Sequence, residues 1–214
     1  MSHIAVIDYG MGNLRSVSKA LEVVSNGVAV EVTADPNRIL SASHIVFPGV
    51  GAIRDCIAEL NHLQLDSVLR TAINNGKPVL GICLGMQALL TRSEENNGTQ
   101  GLDIIAGNVR HFDINATDNS EHLKVPHMGW NEVNQSHPHP LWKDIDQNSR
   151  FYFVHSYYVE PSDNNVIVAT TDYPDTFTSA IQKDNLFAVQ FHPEKSQHAG
   201  LKLLENFLNW DGQS

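Results

Sequence analysis

Short apolar runs and helical spacings alternate along the N-terminal part of the chain. Ile4, Ala5, Val6 and Ile7, closed by Asp8, make residues 3–9 a buried-strand pattern. Gly10-Met11-Gly12-Asn13 follows as a turn, and Leu14, Val17, Leu21 and Val24 then recur at helical spacing up to the stop at Asn26-Gly27. Residues 28–33 alternate and predict a second strand; Asp35-Pro36 opens a short helix. Residues 44–47 predict a third strand, ended by Pro48-Gly49-Val50-Gly51. One longer helical region runs through Ile57, Leu60, Leu65, Val68, Leu69 and Ile73 to Asn75-Gly76. Residues 77–83 predict a fourth strand and 84–91 a helix. Strand and helix in alternation, joined by short turns, imply a parallel sheet wound with crossover helices.

Beyond about residue 100 the pattern changes. Residues 125–134, 150–160, 166–171, 177–183 and 186–191 are strand-like, and an amphipathic helix over 197–210 follows. The expected fold is therefore α/β: a mostly parallel central sheet wound with helices, extended by antiparallel strands in the C-terminal half. No linker rich in Pro, Gly or Ser interrupts it, so residues 1–214 are expected to form one domain. The polar stretches 94–101 and 113–122 are expected loops, the second a candidate for mobility.

Composition narrows the field. Of 214 residues, 42% are apolar and 18% charged, which excludes a disordered chain and a membrane bundle. The net charge of −10, with no dense basic patch, argues against coating nucleic acid or anionic lipid. Two cysteines, Cys56 and Cys83, make neither a disulfide scaffold nor a zinc site of paired cysteines. The N-terminus lacks a basic region and a small-residue cleavage site. The longest charge-free apolar stretch, 78–90, is too short to span a membrane. The expected address is a reducing cytoplasm, and no metal or cofactor is expected.

Gly81-Ile82-Cys83-Leu84-Gly85-Met86-Gln87 places a thiol between two glycines at a strand-to-helix junction. This is the thiol counterpart of a Gly-x-Ser-x-Gly elbow. A nucleophile on such a turn needs small neighbours two residues away, and the turn aims the Leu84 N–H at a reacting carbonyl, where one donor is worth roughly 10²–10³ in rate. The opposing reading is that Cys83 is a small buried hydrophobe. Cys56, inside a helical pattern without glycines, takes that structural reading. A thiol nucleophile wants an imidazole, and the imidazole a carboxylate. Among 11 histidines, His192 stands out in Gln190-Phe191-His192-Pro193-Glu194. In extended chain, residues i and i+2 share a side, and Pro193 favours that geometry in His192. His127 and His155 lie in strand-like segments, where they read as packed groups or supports.

Taken together, these segments resemble the class I, triad-type glutamine amidotransferases, of flavodoxin-like architecture. Pro48-Gly49-Val50-Gly51, the Cys83 motif and Gln190-Phe191-His192-Pro193-Glu194-Lys195-Ser196 come in that family's order. Tyr9-Gly10-Met11-Gly12-Asn13, Pro126-His127-Met128-Gly129-Trp130-Asn131 and residues 151–158 are similar to the glutaminase subunits of imidazole glycerol phosphate synthases. The likeness runs from the first strand to the last helix.

The resemblance implies a catalytic triad of Cys83, His192 and Glu194, which hydrolyses glutamine to glutamate and ammonia through a glutamyl thioester. It implies oxyanion donors at Leu84 and in the Val50–Gly51 loop, and glutamine-binding contacts at Gly49, Gln87, Ser156 and Tyr157. It also implies a partner, a (β/α)₈ cyclase subunit. That subunit uses the ammonia to make imidazole glycerol phosphate and aminoimidazole carboxamide ribotide in histidine biosynthesis. Met128, Trp130 and Tyr152 are interface candidates, since interfaces favour Met and aromatics, with Asn13, Arg15 and Lys124 as polar support. Two rivals stand beside this reading. A free-standing thiol hydrolase of the same fold would not depend on a partner for activity. A non-catalytic binding homologue would not trap a thioester. A nucleotide site at Gly10-Met11-Gly12 is poor, because the third glycine of that fingerprint and a phosphate-loop Lys are missing.

Overall fold

The computed structural model describes residues 2–113 and 124–213; the stretch expected to be a mobile loop therefore lies, apart from Asp113, outside the described residues. Five strands form a parallel block in the order β2 (Ala29–Thr33), β1 (His3–Ile7), β3 (His44–Gly49), β4 (Val79–Cys83) and β14 (Leu186–Val189). The crossovers run through α1 (Leu14–Val24), α2 (Pro36–Ser41), α3 (Ile53–His62) and α4 (Leu65–Asn74). Side chains of β1 alternate between the faces. Ile4 and Val6 pack with Val17 and Leu21 of α1 and Leu203, Leu204 and Phe207 of α6 (Gln197–Asn209). Ala5 and Ile7 pack with Ile53, Leu60, Leu65 and Leu69 of α3 and α4. Both faces are covered, which is why β1, β3 and β4 read as unbroken apolar runs.

The sheet continues past β14 through β13 (Thr176–Lys183), β11 (Tyr157–Pro161), β7 (Ile105–His111), β5 (Leu90–Ser93) and β6 (Thr99–Gln100). These added pairings are antiparallel except that of β5 with β7. β12 (Ile167–Asp172) pairs with β13 and with the short β9 (Asn134–Gln135). β8 (His127–Glu132) and β10 (Arg150–His155) form a separate antiparallel ribbon. No helix of the described residues is long and apolar enough to cross a membrane.

Four sequence expectations need correction. The third strand does not end before Pro48 but carries it and Gly49 into register with Ile82 and Cys83 of β4. The long helical region is two helices: Gln64 sits at φ 56°, and that left-handed residue breaks the path. Residues 84–91 are not one helix, because α5 (Leu84–Ala88) stops early and Leu90 enters β5. Residues 150–160 are not one strand, because Ser156 separates β10 in the ribbon from β11 in the main sheet.

Candidate active site

In a parallel block, the loops leaving the C-terminal strand ends share one edge, and ligands bind there. Here that edge carries the 8–13 turn after β1, Val50-Gly51 after β3, Cys83 at the end of β4 and His192 after β14. β4 lies between β3 and β14, so Cys83 is flanked by the glycine loop on one side and the His192 segment on the other.

Cys83 has φ 54° and ψ −109°, a conformation that L-residues rarely adopt. Its neighbours show why both elbow glycines are needed. A Cβ on Gly81 would lie 2.9 Å from that of Ala188, and one on Gly85 would run into the Phe47 carbonyl oxygen. Gly51, at φ +97°, gives the loop opposite Cys83 its own left-handed residue. Glu95 reaches this corner from the loop after β5 and accepts from the Ile53 N–H at 3.1 Å, fixing the start of α3.

His192 and Glu194 come together, with Nδ1 and Oε1 2.9 Å apart and both side chains almost completely buried. Extended chain alone does not bring this pair together. His192 is extended, at φ −104° and ψ 95°, but Pro193–Lys195 is a single 3₁₀ turn, and that turn brings the carboxylate to the ring. His192 Nε2 and Glu194 Oε2 are buried without a hydrogen-bond partner among the described residues. Burial disfavours the imidazolium, but Cys83 and then Glu194 outweigh it and raise the His192 pKa to about 10. The segment is tied down on both sides: His192 N–H donates to the Tyr152 carbonyl at 2.9 Å, and Ser196 Oγ donates to the His192 carbonyl at 2.6 Å.

A cavity of about 310 Å³ opens in front of these groups. Val50, Gly51, Cys83, Leu84, Gln87, Ser156, Tyr157 and His192, all singled out in the sequence, come together in its lining. Gly49 does not; it is buried beneath, where a Cβ would lie 2.5 Å from Tyr9 Oη and 2.9 Å from the Leu84 Cβ. Sequence reasoning missed Glu95, Pro126 and Val154 in the lining, and gave His155 no more than a supporting place. Gln87 Nε2 donates inward, to the Tyr157 carbonyl at 2.9 Å and to Gln190 Oε1 at 3.0 Å, which leaves its Oε1 as the atom for a ligand. Such a site, small, part apolar and part polar, suits attack by a thiol on a small amide or ester.

The comparisons with known proteins decide between the members of that class. The family model for class-I glutamine amidotransferases matches residues 5–210. The chain is 58% identical to the imidazole glycerol phosphate synthase subunit HisH of Nitrosococcus oceani over the whole of both chains. It is 58% identical to the HisH subunit of Acinetobacter baylyi over 99% of this chain and 100% of that one. The chain belongs to the class-I glutamine amidotransferases, among the HisH subunits of imidazole glycerol phosphate synthase. A solved glutamine amidotransferase, 15% identical, shares its fold at a TM-score of 0.73 over 98% of each chain. So does the PurLQS structure from Thermotoga maritima, at 17% identity and TM-score 0.73 over 97% of this chain and 98% of that one.

Outside the cavity of this amidotransferase, Met128 is 62% and Trp130 39% exposed on β8, with Tyr152 facing Trp130 across the ribbon at a ring separation of 6.2 Å. Asn13 stands at the N-cap position of α1, its carbonyl accepting from the Ser16 and Val17 N–H groups, and Arg15 is exposed on the first turn of that helix. Lys124 is exposed, its backbone held by the Tyr173 hydroxyl, which accepts at 3.1 Å and donates at 2.7 Å.

Proposed function

We propose that this subunit hydrolyses glutamine at Cys83 and passes the ammonia to a (β/α)₈ cyclase subunit in the imidazole glycerol phosphate step of histidine biosynthesis, in the cytoplasm. The observation that carries the reading is the strained Cys83 elbow beside a buried His192–Glu194 pair, opening on a cavity sized for an amino acid.

The thiolate of Cys83 attacks the side-chain amide carbon of glutamine, forming the C–S bond while the carbonyl oxygen takes the negative charge. The Leu84 N–H and a donor of the Val50–Gly51 loop hold that oxyanion. The C–N bond breaks as His192 gives its proton to the leaving nitrogen, releasing ammonia. A water then loses a proton to His192 and adds to the thioester, and the C–S bond breaks to free glutamate. Glu194 keeps the ring oriented and balances its charge. Gln87 Oε1, Glu95, Ser156 and Tyr157 surround the amino-acid end of the substrate. Ammonia set loose in water is protonated and lost as a nucleophile, which favours direct delivery to a docked partner. Met128, Trp130 and Tyr152 form the apolar part of that docking face, with Asn13, Arg15 and Lys124 at its rim.

Glutamate release should be low for the chain alone and rise strongly with the cyclase subunit and its nucleotide ligand. Cys83→Ala should abolish it while partner binding and fold persist. Full activity alone, unmoved by the partner, would mean a free-standing hydrolase, and turnover by Cys83→Ala would remove the nucleophile.

A further inference from the structure

Gln190 takes part in no step above, yet it is fully buried and its Nε2 donates to the Cys83 sulfur, 3.6 Å away. Its amide has one orientation available. The usual ambiguity between the O and N of a side-chain amide is removed by its neighbours. Gln87 presents Nε2 to it, so Gln190 must answer with Oε1 and turn its own N–H groups toward Cys83.

What fixes Gln87 lies further out. Its second Nε2 hydrogen bond goes to the Tyr157 carbonyl, which also accepts from His155 Nδ1 at 2.8 Å. A carbonyl only accepts, so His155 carries its proton on Nδ1 and its Nε2 is an acceptor. His127 Nδ1 lies 2.9 Å from that Nε2 and must donate to it, which leaves His127 Nε2 to accept from Asn131 Nδ2 at 3.3 Å. Each donor and acceptor from Asn131 to Cys83 is thereby set in one direction. Both imidazoles must be neutral for this, and their burial keeps them so.

We propose that Gln190 is a further catalytic residue, donating a hydrogen bond to the Cys83 sulfur in its anionic form. Gln87, the Tyr157 carbonyl, His155 and His127 are the positioning groups that hold this donor in place. The proposal rests on Cys83 being the nucleophile. It also gives the inward half of the Gln87 amide a task separate from binding substrate.

The test is the rate of Cys83 alkylation by iodoacetamide in the full chain, followed by mass spectrometry at that peptide. Gln190→Met keeps the bulk and removes the donor. On the acid limb of the pH profile, where the parent's own rate falls as the pH drops, the variant's rate should be about tenfold lower, the size expected when a charged group loses one hydrogen bond. At about pH 10, where a thiol ionises without help, it should match the parent. His155→Phe should show the same selectivity at smaller size and add little on top of Gln190→Met, since linked sites are not additive. An unchanged rate in both ranges, or an equal fall in both, overturns the proposal. If Gln190→Met does not fold, Gln87→Met releases the amide without removing it; it should give the same pH-selective loss, and its absence is equally fatal. Normal glutamate release by Cys83→Ala overturns the nucleophile itself, whereas a parent-like alkylation profile in Gln190→Met overturns only the donor.

Discussion

A thiol attacks well only when its proton is held elsewhere, and in the proposed mechanism His192 holds it. The ring is buried, yet the thiol before it and the carboxylate behind it keep the imidazolium favoured. Removing the ring removes the proton carrier; changing the carboxylate only loosens it. His192→Ala should therefore lower steady-state glutaminase turnover by about 10³-fold, and Glu194→Gln by about 10–100-fold. The reverse order in steady-state kinetics would overturn these roles. Cys83, His192 and Glu194 were legible in the sequence because each sits in a short motif whose spacing has a mechanical reason. Gln190 carries no such mark: it lies in the bend just after β14, and its contact with Cys83, 107 residues away in sequence, exists only in the folded chain. Nor does Glu95. It stands in a polar stretch that reads as solvated, and its task, holding Ile53 some 42 residues away in sequence, exists only once the chain is folded.

At the scale of elements, the parallel block was readable because burial on both faces writes continuous apolar runs. The junctions were harder. The Gln64 break follows from one left-handed residue inside an otherwise helical spacing. Ser156 divides a continuous strand pattern between two sheets, and each half keeps an apolar character of its own, so local sequence holds no mark of the division. The ribbon is where an exposed Trp130 and Met128 find no cover within the described residues. Trp130→Ala should weaken binding to the cyclase subunit at least about tenfold, as interface aromatics do, with little change in melting temperature. Calorimetric titration beside thermal melts checks this; a lowered melt with unchanged affinity would make Trp130 a core residue.

For the whole molecule, pH acts through buried histidines of opposite sign. Burial lowers the pKa of His127 and His139 to about 4 and that of His155 to about 3, from an ordinary 6.5. Below 6.5 the unfolded chain gains protons that the folded one refuses, so stability falls as the pH drops from there toward 4. His192 is the reverse: its raised pKa adds stability that is complete below 6.5 and is lost as the pH rises through about 10. The melting temperature should thus be highest near neutrality and lower at about pH 5. Thermal melts across that range decide it, and a chain as stable at pH ~5 as at pH ~7 would mean that these rings are not held neutral.

The attachment of Tyr152 has a mechanical consequence. Its carbonyl accepts from the His192 N–H and its N–H donates to Ser196 Oγ, so the ribbon's inner strand grips the loop that carries the imidazole. The same strand pairs with β8, whose outer side offers Met128 and Trp130. A strand of six residues is about 20 Å long, so a push of about 1 Å at its end turns it by only about 3°. That is a stiff lever with a short throw. A load on the ribbon therefore arrives first at the backbone of His192, through the Tyr152 carbonyl and Ser196 Oγ, with little travel to spend on the way.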